Sequence, residues 1–271
     1  MPSATLPPWV RLRPQTTPMA ETTSGTSRFG ACPIADGGTP VETWSEWDHG
    51  LAPLNLHDCP GMTVIAPHPD DETLGLGATM ATLCDAGVDV QVVSVSDGGA
   101  AYPELTDSAR VELEHVRKAE LRRSLHVLGA GDPIALGMPD GELSQHERWL
   151  TSRIVQLLSV FPAGRWCAAT WRGDGHPDHE VVGRAAAAAA ARTEAVLIEY
   201  PVWMWHWATP GDPAVPWNRA RRVELTDDAL NVKAIAAESF SSQTRPTPDR
   251  EAVLPPAVLQ RLLAIGEVVF V

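Results

Sequence analysis

Apolar positions along this chain switch between two periods, and the switches mark its elements. The run at 62–66, Met-Thr-Val-Ile-Ala, reads as a short buried parallel strand. Helical spacing follows near 72–86, with Gly75 and Gly77 in the first turns, small enough to let that helix lie close on a sheet. A second strand is expected near 88–95. The next helix, near 108–128, carries Val111, Leu113, Val116, Leu121, Leu125 and Leu128 at roughly helical spacing. A short strand at 133–136, a helix near 145–160 and a strand at 166–171 continue the series. A helix then runs through the seven alanines of 185–191, which is plain helix propensity. A strand at 196–203 closes the regular part.

Such alternation implies a parallel sheet covered on both faces, with right-handed crossovers. The expected class is α/β: a Rossmann-like, doubly wound, mostly parallel sheet with helices on both faces and an irregular C-terminal part. One domain is expected over 29–271. Residues 1–28, rich in Pro, Thr and Ser and without apolar period, read as a disordered leader. Residues 29–60 hold Trp44, Trp47, Leu51, Leu54 and Leu56, and should pack onto the domain as a short helix and loop. Further on, a helix near 227–240 has Asp227 and Asp228 in its first turn, complementing the helix dipole. A short helix at 257–264 and a closing strand at 267–271 complete the chain. In between, Trp203, Trp205 and Trp207 recur at period two, which on a strand sets three indoles on one face and Val202, Met204 and His206 on the other. The cluster reads either as a core plug or as an apolar wall beside a bulky substrate. His206, between two tryptophans, reads as a packed histidine, and so do His115, His126 and His146 on helices; His57 reads as a surface residue.

Composition narrows the function more than the fold. The 271 residues are 44% hydrophobic and 20% charged, enough for a sizeable core. A net charge of −13 argues against nucleic acid and anionic membrane surfaces as partners. No segment approaches the roughly 18 continuous apolar residues of a membrane span, and the N-terminus lacks the basic start and apolar run of a signal peptide. A cytoplasmic location is the expectation. Cys32, Cys59, Cys84 and Cys167 show no CxxC spacing, so they form neither a zinc knot nor a redox pair. Cys84 and Cys167 read as small core residues, and a Cys32–Cys59 disulfide stays open.

The chemistry gathers where strands end. His68-Pro69-Asp70-Asp71-Glu72 follows the first strand, and Gly173-Asp174-Gly175-His176-Pro177-Asp178-His179-Glu180 follows the strand at 166–171. Open α/β sheets bind ligands beyond such carboxyl ends. Neutral imidazole and carboxylate suit zinc, and a catalytic site keeps one position for water. One His and one Asp from the first loop with one His from the second would supply three ligands, which neither loop supplies alone. A dinucleotide is rejected, because Gly75-Leu76-Gly77 lacks the full glycine fingerprint and the loop before it is acidic.

These paired motifs resemble the N-acetylglucosaminyl-phosphatidylinositol de-N-acetylase family, also called PIG-L-like or LmbE-like. The resemblance extends to Ser96-Asp97-Gly98, to Arg117 through Glu120, and to Gly137-Met138-Pro139-Asp140-Gly141-Glu142-Leu143, and covers roughly residues 60–200. It implies a zinc hydrolase, one ion per chain, that removes acetyl from an N-acetylglucosamine unit. By the family pattern His68, Asp71 and His179 are the metal ligands. Asp70 is then the general base, His176 a donor to the oxyanion or leaving group, and Asp178 the carboxylate that holds His176 in place, as in triads. Glu72 is expected to stabilise the helix start. Asp97, and more weakly Asp140, are candidate sugar contacts, each equally readable as a loop cap before Gly. Arg117 matches a family position for substrate binding, or braces its helix through Glu114 or Glu120. The implied partner is a small soluble glycoconjugate, in the first place an N-acetylglucosaminyl natural product such as a glycopeptide-antibiotic pseudoaglycone, in the second a mycothiol-type sugar-thiol precursor. Two readings of other classes remain: a metal-dependent phosphoesterase and a non-catalytic sugar-binding module.

Overall fold

The computed structural model describes residues 25–47 and 50–271. Its helices are α1 (Gly25–Gly30), α2 (Val41–Ser45), α3 (Asp71–Asp85), α4 (Asp107–Val127), α5 (Glu147–Leu158), α6 (Pro177–Thr193), α7 (Met204–Trp207), α8 (Asp227–Ala237), α9 (Ser241–Thr244) and α10 (Pro256–Ala264). Its strands are β1 (Pro53–Leu54), β2 (Met62–Ala66), β3 (Val90–Ser96), β4 (Ile134–Met138), β5 (Trp166–Thr170), β6 (Val196–Tyr200), β7 (Ala220–Val223) and β8 (Val268–Phe270).

The strands form one sheet in the order β1-β7-β8-β6-β5-β2-β3-β4. Only β8 runs against its neighbours β6 and β7; the other pairings are parallel. The class read from the sequence is therefore the one observed. β2 lies between β3 and β5, with Met62 beside both Val90 and Trp166. From there the chain builds outward to β3 and β4 on one side, then returns to build β5 and β6 on the other. This reversal is the switch point where doubly wound sheets open a crevice, and the two motifs stand at its two edges.

Side chains alternate between the faces as a pleat requires. Val64, Val90 and Val92 enter a core with Leu76, Met80, Leu121 and Leu125 from α3 and α4. Ile65, Val93 and Val95 point the other way, against Leu150 and Ile154 of α5 and the alanines of α6. Four of those alanines, Ala185, Ala186, Ala189 and Ala190, are buried. Their small side chains allow α5 and α6 to pack closely, a use of the run beyond bare propensity.

Helix α3 is tailored to the sheet. A Cβ on Gly75 would lie 2.3 Å from the ring of Tyr200 on β6, so only glycine fits there. At Leu76 the backbone leaves helical geometry (φ −137°, ψ 17°). The amides of Ala78 and Thr79 are released by that kink and donate to the Glu267 carboxylate, each at 2.9 Å. Glu267 thus acts as a cap inside the helix, and Lys233 neutralises it at 3.0 Å.

Several expectations need correction. The strand expected through residue 203 ends at Tyr200; Trp205 and Trp207 lie on the helical turn α7, and Trp203 directly precedes it. The reason is Asp174, whose carboxylate accepts from the backbone amides of Val202, Trp203 and Met204, all at 2.9 Å. A strand points successive amides to opposite sides and cannot offer three to one carboxylate. Of the span read as a leader, residues 1–24 lie outside the described residues, while 25–28 belong to α1. Arg28 pairs with Asp212 at 2.9 Å, so the packed part begins earlier than residue 29. On α4, Val111 and Val116 are exposed and the buried face includes Arg117, Glu120 and Ser124. His115 and His126 are exposed rather than packed; His206 is buried and His57 exposed, as expected. All four cysteines are free. Among the described residues no helix is long and apolar enough to cross a membrane.

Candidate metal centre and its cleft

The loop after β2 turns sharply enough that Asp70 adopts φ 138°, ψ −31°, a conformation costly for any residue with a Cβ. Several contacts hold it there. The Asp70 amide donates to Glu72 Oε2 at 3.2 Å, and its carbonyl accepts from Leu74 N at 2.8 Å. Arg117, buried on α4, donates to Pro69 O at 2.9 Å, Asp70 Oδ2 at 3.2 Å and Gly98 O at 3.0 Å. Glu72 secures the helix start, as read from the sequence.

This turn delivers His68 and Asp71 to one point, and β5 delivers His179 to the same point from the first turns of α6. The three ligating atoms lie within 4.8 Å of one another. Asp71 Oδ2 is 3.1 Å from His68 Nδ1 and 3.2 Å from His179 Nε2. The second nitrogen of each ring is held by a carboxylate: His68 Nε2 by Asp140 Oδ1 at 3.0 Å, His179 Nδ1 by Asp174 Oδ2 at 2.8 Å. Imidazoles that bind metals are oriented in this way. His179 Nε2 is close to Asp71, yet it is buried without a properly directed hydrogen bond. A buried polar atom left so costs free energy unless something else takes it up. A cation between the three groups would do so, and two imidazoles with a carboxylate suit zinc and its divalent neighbours. The residues therefore fit a metal.

Charge supports the same arrangement. Burial alone would depress both imidazoles, but Asp71 and Asp174 hold His179 up at about 9, and Asp140, Asp178 and Asp71 hold His68 well above its usual value. Burial drives Asp70 upward, with Arg117 opposing and Asp71 adding to the rise. Burial, then His179 and His68, push His176 down, so this imidazole is neutral. His176 caps α6 by accepting the Asp178 amide on Nδ1 at 3.3 Å, which places its proton on Nε2.

Three sequence expectations fare differently. The carboxylate of Asp178 does not hold His176; it accepts from Gly141 N at 2.8 Å and lies 3.4 Å from His68 Nε2. It is the Asp178 backbone that orients His176. Asp97 is paired with Lys118 at 2.6 Å and does not line the cleft. Arg117 lines the cleft and gives donors to the Asp70 loop and to Gly98 O, not to Glu114 or Glu120, while its buried Nε has no partner. Asp140 also reaches the cleft, with its second oxygen taken by Ala100 N at 2.8 Å.

Asp174 is the residue the sequence reading passed over. It orients His179 and folds α7, and its signal was an acidic side chain two places before His176 in the motif loop. Over the centre opens a cleft of about 280 Å³ whose rim includes Phe29, Trp203 and Val253. Trp205 lies elsewhere, with its ring edge-on to Trp44 at 4.9 Å; it is a core plug.

Residues 63–190 match the family described as "PIG-L: GlcNAc-PI de-N-acetylase". A relative from Mycobacterium avium, named 1D-myo-inositol 2-acetamido-2-deoxy-alpha-D-glucopyranoside deacetylase, is 31% identical over 155 aligned residues, covering 46% of this chain and 49% of that protein. The matched stretch thus spans about half the length of that relative. Among solved structures, the N,N'-diacetylchitobiose deacetylase of Pyrococcus horikoshii superposes with a TM-score of 0.54 at 23% identity, covering 72% of this chain and 73% of that one. The zinc-inhibited form of teicoplanin deacetylase superposes at 0.52 and 19% identity, covering 67% and 84%. At these identities the two superpositions speak for the fold alone.

Proposed function

We propose, on the premise that this chain belongs to the PIG-L (LmbE-like) deacetylase family through its domain at 63–190, that it is a zinc-dependent amidohydrolase. Its substrate is an N-acylated glucosamine unit of a soluble glycoconjugate. The observation that carries this reading is the pair of carboxylate-held imidazoles converging on Asp71, with His179 Nε2 buried and unpartnered.

A divalent cation held by His68, Asp71 and His179 would polarise the amide carbonyl and acidify water. The chain's own groups account for the proton movements. Asp70, whose affinity for a proton burial raises and whose carboxylate Arg117 aims, takes the proton of the attacking water. Its carboxyl then returns that proton to the sugar nitrogen as the carbon–nitrogen bond breaks, releasing acetate and a free amine. His176, neutral with its hydrogen on Nε2, donates to the carbonyl oxygen as negative charge gathers there. Asp140 and Asp174 keep the two ligand rings from turning.

Which glycoconjugate is processed has two candidates of comparable support. The mycobacterial relative is named for an inositol-linked acetamidoglucoside, which points to a sugar-thiol precursor. The family resemblance of the paired motifs equally admits a glycopeptide-antibiotic pseudoaglycone, and the teicoplanin deacetylase shares the fold. The phosphoesterase reading gains nothing: among the described residues the cleft is lined by a single guanidinium, Arg117, and both of its terminal nitrogens donate to protein groups.

Acetate release from methyl N-acetylglucosaminide tests the reaction class. The metal-loaded protein should release acetate, a chelator should abolish it, and Asp70→Asn should keep the metal while losing roughly a hundredfold or more in kcat. Release of phosphate from a sugar phosphate in its place, or full activity in Asp70→Asn, would overturn the reading.

A further inference from the structure

The cleft is divided by chemistry. Its floor carries the metal-ligating groups, and its sides carry Phe29, Ile34, Leu74, Trp203, Val253 and Leu254. Leu74, Trp203 and Leu254 are buried, whereas Phe29, Ile34 and Val253 are half-buried, so the apolar lining runs from the floor outward to the surface. Phe29 anchors it, with its ring 4.9 Å from Trp203 and 6.3 Å from His176. All of these except Leu74 lie outside residues 63–190.

The polar side chains of the cleft are largely committed. Arg117 serves Pro69, Asp70 and Gly98, and Asp140 serves His68 and the Ala100 amide. These two side chains hold most of their bonds within the protein, while those six apolar residues face the same space. Much of the binding free energy along this lining comes from apolar contact, in proportion to the area removed from water. The reacting amide occupies the floor, so the part of the substrate lying along the outer lining is the substituent on the sugar.

We propose that this lining is an aglycone subsite, and that the chain acts on N-acetylglucosaminides carrying an apolar alkyl or aryl aglycone. The inference rests on the deacetylase reading and names its substrate class.

The test compares methyl N-acetylglucosaminide, hexyl N-acetylglucosaminide and methyl N-hexanoylglucosaminide on the metal-loaded protein. Calorimetric binding of methyl and hexyl glucosaminide, the products, runs beside it. The hexyl glycoside should exceed the methyl glycoside at least tenfold in kcat/KM, chiefly through KM, and hexyl glucosaminide should bind at least tenfold more tightly. Phe29→Ala and Val253→Ser should each shrink that ratio at least threefold, while Phe29→Leu retains it. Equal kcat/KM for the two acetyl glycosides would overturn the subsite and leave the deacetylase reading standing. A preference carried by the hexanoyl amide would also overturn it, assigning the lining to the acyl group. Tighter hexyl binding without hydrolysis of any substrate would support the subsite and overturn the deacetylase reading.

Discussion

Asp71 meets both imidazoles through one oxygen, and that sharing makes metal binding a proton exchange. In the metal-free protein His179 is held at about 9 by Asp71 and Asp174, and His68 well above its usual value by Asp140, Asp178 and Asp71, so both rings favour the protonated form. A cation needs the lone pairs at His68 Nδ1 and His179 Nε2, and must displace the protons there. The protons facing Asp140 and Asp174 stay. Because both pKa values are raised, affinity should climb as pH rises toward 9 and fall as acid restores the protons. Zinc added to the weakly buffered protein at pH 7 should release protons; release near zero would mean that the rings do not ligate. At this scale the sequence was informative where roles are local. His68, Asp71 and His179 sit in contiguous motifs, and the structure brings them together. The partners of Asp97 and Arg117, Lys118 and the Asp70 loop, were not legible because packing between elements sets them. Asp140 was undervalued for the same reason, since it acts on a ring from another loop; Asp174 holds His179 of its own motif, but the three amides it also collects lie far along the chain.

Among the elements, α3 and α7 show how side chains override a period. The two-residue spacing of Trp203, Trp205 and Trp207 imitates a strand, yet Asp174 collects three consecutive amides and turns the segment into a helix. The kink of α3 depends on Glu267, nearly two hundred residues along the chain, and no local signal at Leu76 announces it. Strands β1 and β7 escaped notice because each is too short to show a period. By contrast β2 to β6 and their helices carry long, regular runs, and their bounds fall close to those expected, apart from the early end of β6. The plug role of Trp205 has a definite consequence. Trp205→Ala should cost about 3–5 kcal/mol of stability, the usual penalty for emptying a buried indole site. It should also reduce turnover of methyl and hexyl glycosides in the same proportion. Chemical denaturation with both substrates measured on the one variant checks this; a loss confined to the hexyl glycoside would place the ring in the cleft.

Taken whole, the molecule sets a ligand floor at the switch point between β2 and β5 and encloses it with segments from both ends of the described chain. The doubly wound plan was legible because alternation repeats. The enclosing walls were not, since Phe29 and Val253 meet the site only after long-range folding. The β6 side of the sheet is fastened to the C-terminal part by Glu199, which accepts from Arg172 at 2.7 Å and Arg219 at 2.9 Å. Burial would raise Glu199, but these guanidinium bonds prevail and lower it below its usual 4.5. Its stabilising contribution is therefore complete above pH 4.5 and is lost as pH falls through the depressed value. Glu199→Gln should destabilise the protein at pH 7 and lose that deficit progressively below pH 4.5; melting curves across pH reveal it, and a deficit independent of pH would contradict the ion-pair account. The central claim, a metal held by groups from two loops on either side of the switch point, is tested most directly by metal content after exhaustive dialysis. Elemental analysis should find about one zinc per chain in the wild-type protein and nearly none in His68→Ala, Asp71→Ala and His179→Ala, each still folded by circular dichroism. Full zinc occupancy in all three variants would contradict it.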